Sequence, residues 1–270
     1  MWCGLFSQLL SVSTPIQAFA FNFTKLPSPF KRALFAAALR RINTLVVASE
    51  MERDLYARAF LLEKEKIIFQ YWSTNPPHLT QPPTLAGAYV SAIGGNSRDY
   101  RALIGAAMLL PDTIFCIVAR SENLVGLTIP PNVRVFTNIP FDDAMNILGH
   151  SSIMVLPLIG SETPCGHVTI VTAMCLGVPI VATNSSGVSD YIENGRTGLM
   201  VDVGRADQIA SAVSDLMRND STRLYISSRA KNFALRRCSE SEGASHFKKW
   251  LADVSATGDP SCSPNRAHGQ

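Results

Sequence analysis

Between Ser161 and Met200 the chain reads SETPCGHVTIVTAMCLGVPIVATNSSGVSDYIENGRTGLM, and no other stretch restricts the fold as much. Val178-Pro-Ile-Val-Ala-Thr183 is an apolar, β-branched run, as expected for a strand covered on both faces. Gly166 stands where a loop becomes a helix. Without a side chain it lets a ligand approach the free N–H groups of the first helical turn, which favour anions. Asn184-Ser-Ser-Gly187 follows at the carboxyl end of the strand, where open α/β sheets bind ligands. Two ligand-facing loops on adjacent βα units point to a phosphorylated or sugar-like small molecule.

The same alternation runs along most of the chain. Helix is expected over 29–42, strand over 44–49, a charged amphipathic helix over 50–62 and strand over 66–71. A second series has strands at 88–93, 113–118, 133–136, 152–156, 179–183 and 199–201. Helices at 99–110, 142–148, 168–176 and 206–217 separate most of them, and two more are expected at 223–237 and 244–254. Strands alternating with helices imply a doubly wound parallel sheet. The segment TNPPHLTQPP, 74–83, can hold neither a helix nor a central strand and marks a linker. The expected division is a partial α/β domain over 1–75, a linker over 76–87, a second α/β domain over 88–256 and a disordered tail over 257–270.

Composition excludes several classes. With 24 basic and 21 acidic residues the net charge is only +3, too mild to imply nucleic acid as a partner. The six cysteines are scattered, with no CxxC, which reads as reduced thiols in a cytoplasmic protein. No uninterrupted apolar run reaches transmembrane length. The apolar N-terminus lacks a basic n-region and is broken by Ser7, Gln8, Ser11, Ser13 and Gln17. It reads as a helix leading into a strand over 15–23. No Asp-x-Asp, His-Glu-x-x-His, Gly-x-Ser-x-Gly or P-loop motif is present.

The ordered matches Glu162, Gly166, Ala173-Met174, Gly177, Pro179, Val181-Ala-Thr183, Gly187, Asp190, Gly195 and Gly198 resemble the donor-binding core of GT-B glycosyltransferases of the GT4-like (group 1) family. The resemblance runs from about Leu34 to Leu251. It implies a GT-B α/β fold: a complete C-terminal Rossmann-like parallel-sheet domain preceded by a partial N-terminal Rossmann-like one. The family carries a full acceptor domain at this point. The short segment before the linker therefore suggests a truncated product, a misplaced start or one half of a split enzyme.

The resemblance also assigns roles. Arg98, in Ile93-Gly-Gly-Asn-Ser-Arg98, takes the place of the family's diphosphate-contacting Lys or Arg. A guanidinium can grip phosphate oxygens bidentately and stabilise a leaving group, while Gly94 and Gly95 allow backbone amides to come close. Its alternative is a solvated Arg beside the helix cap Asp99. Glu162 resembles the first residue of the family's paired-Glu motif, which meets donor-sugar hydroxyls, although Pro164 holds the standard position. Thr172 stands where the second Glu binds ribose, and a hydroxyl accepts such bonds more weakly than a carboxylate. His167 can donate to a phosphate at the helix start, or cap the helix and pack against the loop. Asn184, Ser185, Ser186 and Gly187 make phosphate or sugar contacts, or an ordinary turn. Arg98 and Glu162 are the catalytic candidates, and no metal or other cofactor is implied.

The expected activity is retaining transfer of a hexose from a nucleotide-diphosphate sugar to a saccharide or lipid-linked acceptor. Lys31, Arg32, Arg40 and Arg41 flank an apolar helix that can dock peripherally on an anionic inner leaflet, or can simply pack on the core. A second reading is a catalytically impaired or split-enzyme donor-binding subunit that needs a partner chain. A third, a sugar-nucleotide epimerase, needs cleft carboxylates that the sequence does not show.

Overall fold

The computed structural model describes residues 14–20, 26–79, 81–162 and 164–257. The expected N-terminal helix and all of the expected tail beyond Thr257 lie outside these residues. The chain divides into two units, Met1–Tyr71 with Glu240–Gln270, and Trp72–Ser239.

In the first unit, β1 (Gln17–Phe19), β2 (Thr44–Val47) and β3 (Ile67–Phe69) form a parallel sheet in that order. Helices α1 (Pro29–Arg40) and α2 (Glu50–Phe60) lie in the β1–β2 and β2–β3 connections. Ser49 caps the start of α2. Its hydroxyl accepts the Glu52 N–H, and the Glu52 carboxylate accepts the Ala48 N–H. Burial raises the Glu52 pKa above the usual carboxylate range despite these bonds.

The last helix, α8 (Glu240–Thr257), belongs to this first unit, whereas the sequence suggested the second. A long-range bond ties it to this sheet. The buried Trp250 indole N–H donates to the Thr44 hydroxyl of β2 at 3.0 Å. A buried indole needs such an acceptor, and no local pattern shows where it lies.

The second unit holds β4 (Tyr89–Ile93), β5 (Ile114–Ala119), β6 (Val133–Thr137), β7 (Ile153–Leu156), β8 (Ile180–Thr183) and β9 (Leu199–Val201). All pair in parallel, in the order β6-β5-β4-β7-β8-β9. Helices α3 (Tyr100–Leu109), α4 (Phe141–Gly149), α5 (His167–Leu176), α6 (Ala206–Arg218) and α7 (Asp220–Arg237) fill the connections and close the unit.

Strand side chains alternate between faces. Val90, Phe115, Ile117, Val155 and Val181 share one core with Leu103 and Ala106 of α3 and Ile209, Val213 and Leu216 of α6. Their neighbours Cys116, Met154 and Ile180 are also fully buried, on the face that α4 and α5 contact. This double coverage is why the strands read as continuous apolar runs. Burying each Val, Leu or Ile contributes about 1.5–3 kcal/mol.

The Pro-rich segment carries no helix or strand among its described residues, yet it is not detached. The Asn146 side-chain amide donates to the Pro82 carbonyl at 2.9 Å and the Thr84 hydroxyl at 3.2 Å. Leu79 packs against Gly149, and a Cβ there would push the leucine side chain aside. Among the described residues, Cys116, Cys165, Cys175 and Cys238 are buried and form no disulfide. Burial pushes Cys116 and Cys238 up to about 12, so both stay protonated and inert near neutral pH.

Candidate functional site

Counted from β4, the strand order of the second unit is 3-2-1-4-5-6, with its switch point between β4 and β7. Connections leave the carboxyl ends of these neighbouring strands in opposite directions and open a crevice there. The loop after β4 carries Gly94, Gly95 and Arg98, and the loop after β7 runs to Gly166. Ordinary hydrogen bonds stitch the loops together. Asp99 N–H donates to the Pro157 carbonyl (2.9 Å), Ile159 N–H to the Ser97 carbonyl (3.2 Å) and Leu158 N–H to the Thr183 hydroxyl (2.8 Å). Ser186 adds its N–H (2.8 Å) and its hydroxyl (3.1 Å), both to the Ser161 carbonyl, and so joins the loop after β8.

Arg98 is half-buried and its fork is held in place. Nε donates to the Ile93 carbonyl at 3.3 Å, Nη1 to the Asn96 carbonyl at 2.8 Å and Nη2 to Thr169 Oγ1 at 3.5 Å. The last contact is at the limit of a hydrogen bond, so an arriving anion would displace it at little cost. Burial lowers the pKa of the guanidinium, which nevertheless stays charged because its starting value is so high.

Gly94 is required beneath this group. Its φ is +116°, and a Cβ there would lie 2.8 Å from Arg98 Nη2. The Tyr100 hydroxyl donates to the Gly94 carbonyl, and the Asn123 amide donates to the Gly95 carbonyl at 2.8 Å. Sequence reasoning missed both supports. The buried tyrosine immediately after a helix cap was the available signal.

The two helix N-termini in the crevice differ. Asp99 caps α3, its carboxylate accepting the Ala102 N–H at 3.0 Å, so that terminus is already neutralised. Gly166 starts α5 with no side-chain cap, leaving first-turn N–H groups for a ligand or water. Gly166 has φ +97°, and a Cβ would meet Leu156 Cδ2 at 2.7 Å. Leu156 is fully buried and has little room to yield. Gly166→Ala is therefore expected to destabilise the second unit by about 1–2 kcal/mol, from backbone strain and overpacking together. Chemical denaturation followed by tryptophan fluorescence would check this.

His167 is buried, stacked on Tyr191 with ring centroids 5.0 Å apart. Its Nε2 lies 3.1 Å from the Gly187 carbonyl, which only an N–H can satisfy, so Nε2 carries the proton. Burial depresses its pKa to about 4, with nearby Arg98 adding to the shift. Near neutral pH the ring is uncharged, joining the α5 start to the loop after β8.

The remaining candidates have distinct places. Glu162 is exposed on the loop after β7. Thr172 lies within α5, buried, and its hydroxyl donates to the Val168 carbonyl at 2.7 Å. Asn184 is exposed, and its N–H donates to the Val201 carbonyl at 2.7 Å. Ser185 is buried, its carbonyl accepting the Val188 and Ser189 N–H groups in a turn. The fold thus gathers Gly94, Gly95, Arg98, Gly166 and His167 around the switch point, with 184–187 tied alongside.

At the switch point of this doubly wound sheet a guanidinium and a helix start without a side-chain cap, two groups that favour negative charge, lie on neighbouring loops. Residues 89–219 match the model of the family Glycosyl transferases group 1. That segment is similar to the group 1 glycosyltransferases, and the fold is the GT-B type. The lipopolysaccharide core biosynthesis glycosyltransferase LpsE of Rhizobium meliloti (strain 1021) is 27% identical over 137 residues, 49% of this chain and 39% of LpsE. The capsular polysaccharide biosynthesis glycosyltransferase CapM of Staphylococcus aureus is 31% identical over 97 residues, 36% of this chain and 24% of CapM. The crystal structure of Anabaena Alr3699/HepE in complex with UDP and glucose superposes with a TM-score of 0.78 at 16% identity, covering 93% of this chain and 74% of that one. The curated relatives are thus matched over less than half of their length. Among the described residues no helix is long and apolar enough to cross a membrane.

Proposed function

We propose that this chain binds a nucleotide-diphosphate sugar at the switch point of its second unit and serves retaining transfer of a hexose to a saccharide or lipid-linked acceptor. The observation that carries the reading is the pairing of the Arg98 guanidinium with the uncapped start of α5 across the β4 and β7 loops. Both features favour negative charge. The match of residues 89–219 to a glycosyltransferase family supports the same reading.

In the reaction, the bond from the sugar's anomeric carbon to the diphosphate breaks and a bond to the acceptor hydroxyl forms. The acceptor's proton leaves with the diphosphate. Arg98 and the backbone amides of the Gly94-Gly95 loop and the α5 start would stabilise charge on the departing oxygens, so the reading calls for no metal. Glu162, exposed on the adjoining loop, would meet sugar hydroxyls. The exposed Phe30 and Leu34 beside the basic residues of α1 are compatible with peripheral docking on an inner membrane leaflet, in the cytoplasm.

A second reading, a donor-binding subunit completed by a partner chain, draws on one observation. The Thr172 hydroxyl is already committed to Val168, which reduces what α5 can offer a ribose.

Titration calorimetry of the chain against UDP, GDP and ADP tests the proposal. Micromolar binding of one of them is expected. A folded chain that binds none of the three would overturn it.

A further inference from the structure

A second basic feature lies outside the switch point. Glu193, Arg196 and Thr197, from the turn before β9, face Arg229, Asn232, Phe233, Arg236 and Arg237 of α7 across a cleft of about 520 Å³. Positions 229, 232, 233, 236 and 237 follow the spacing of one helix face, so three guanidiniums are presented along two turns. The fourth, Arg196, comes from the opposite wall. A single carboxylate, Glu193, faces them and is bound to Arg196 at 2.9 Å.

Helix-end electrostatics explains part of the cluster. Arg236 and Arg237 sit in the last turn of α7, where cations complement the dipole. It does not explain Arg229, two turns earlier, or Arg196, on a different segment. The Arg229 guanidinium lies over the Tyr225 ring, 5.2 Å from its centroid, which orients it without neutralising it. Like charges gathered on one face repel, and a bound polyanion removes that cost. Planar guanidinium forks match phosphate oxygens bidentately, and Asn232 and Thr197 add neutral polar groups on the two walls.

We infer that this cleft is an anion site distinct from the switch-point crevice, which takes a diphosphate or a phosphate monoester. The phosphate is either free or presented as the headgroup of a phospholipid. The cleft is open enough to admit a diphosphate whole, and its walls come entirely from the second unit.

The test uses the full chain, inorganic diphosphate, and vesicles of phosphatidylcholine with or without phosphatidic acid. Arg229→Ala with Arg236→Ala removes two exposed charges and is expected to leave the unfolding transition unchanged, as surface substitutions usually do. Binding of diphosphate is followed by the Nε–Hε resonances of the arginine side chains. A saturable response, weakened about ten-fold or more in the double variant and retained in Arg98→Ala, supports a site for free phosphate. Flotation with the phosphatidic acid vesicles alone, lost in the double variant, supports the same site with a headgroup as its ligand. No saturable binding to either probe, or binding that the double substitution leaves unchanged, overturns the inference. The component of UDP binding that Arg98→Ala removes is expected to be the same in the double variant as in the unsubstituted chain, so failure here is separable from failure of the donor-site proposal.

Discussion

Arg98→Ala is expected to weaken UDP binding by about 10- to 100-fold, the loss typical of a charge-assisted hydrogen bond to an anion. Three protein acceptors already hold the guanidinium in place, so little side-chain entropy is lost when a diphosphate arrives. Its weakest contact, to Thr169, is the one most readily exchanged for a phosphate oxygen. Arg98→Lys is expected to recover only part of the affinity, because an ammonium cannot keep the bonds to Ile93 and Asn96 and also bind an oxygen in the same fork geometry. Calorimetric titration of the two variants beside the unsubstituted chain measures this. Equal affinity for UDP in all three would remove Arg98 from the donor site.

Acidification is expected to destabilise the second unit through His167. In the folded chain its pKa is about 4, against an ordinary 6.5, because burial disfavours the charged ring. Above 6.5 the ring is neutral both folded and unfolded, and the stability it permits is fully present. As pH falls through the window from 6.5 to about 4, the unfolded chain takes up a proton that the folded chain resists, and stability is lost. The full loss is about 3 kcal/mol by the usual conversion of a pKa difference. His246 has a depressed pKa as well, chiefly from burial, and acts in the same direction. The comparison is therefore between the unsubstituted chain and His167→Gln, each unfolded in urea across that window. The gap between them should narrow as pH falls, because only the unsubstituted chain carries this proton linkage. A constant gap would mean that His167 titrates normally and is not held neutral against Gly187 and Tyr191.

These two residues show how unevenly the site was legible. Arg98 could be singled out because, after two glycines and before a helix cap, it stands where the family that the sequence resembles has its diphosphate-contacting Lys or Arg. The structure adds what holds it, namely carbonyls of its own loop and a hydroxyl from α5. His167 could be placed at a helix start, but not assigned as a phosphate donor or a packed ring. That depended on Gly187 and Tyr191, which are 20 and 24 positions further along the chain. Thr172 was legible as a departure from the family pattern. That its hydroxyl turns back to Val168 follows from burial inside the sheet-facing helix.

By itself, the sequence determined the elements and their kind. Apolar β-branched runs, amphipathic segments, Gly166 at a helix start and the prolines between the two series are governed by nearest-neighbour sterics and by which residues avoid water. Such forces act over a few positions and leave their trace in composition and period. Only the tertiary structure decided the strand order that puts β4 beside β7, the return of α8 to the first unit through Trp250 and Thr44, and the protonation state of His167. It alone set Arg196 opposite the arginines of α7. Each of these depends on partners far apart along the chain. Hydrogen-bond satisfaction and dielectric environment exist only once those partners meet.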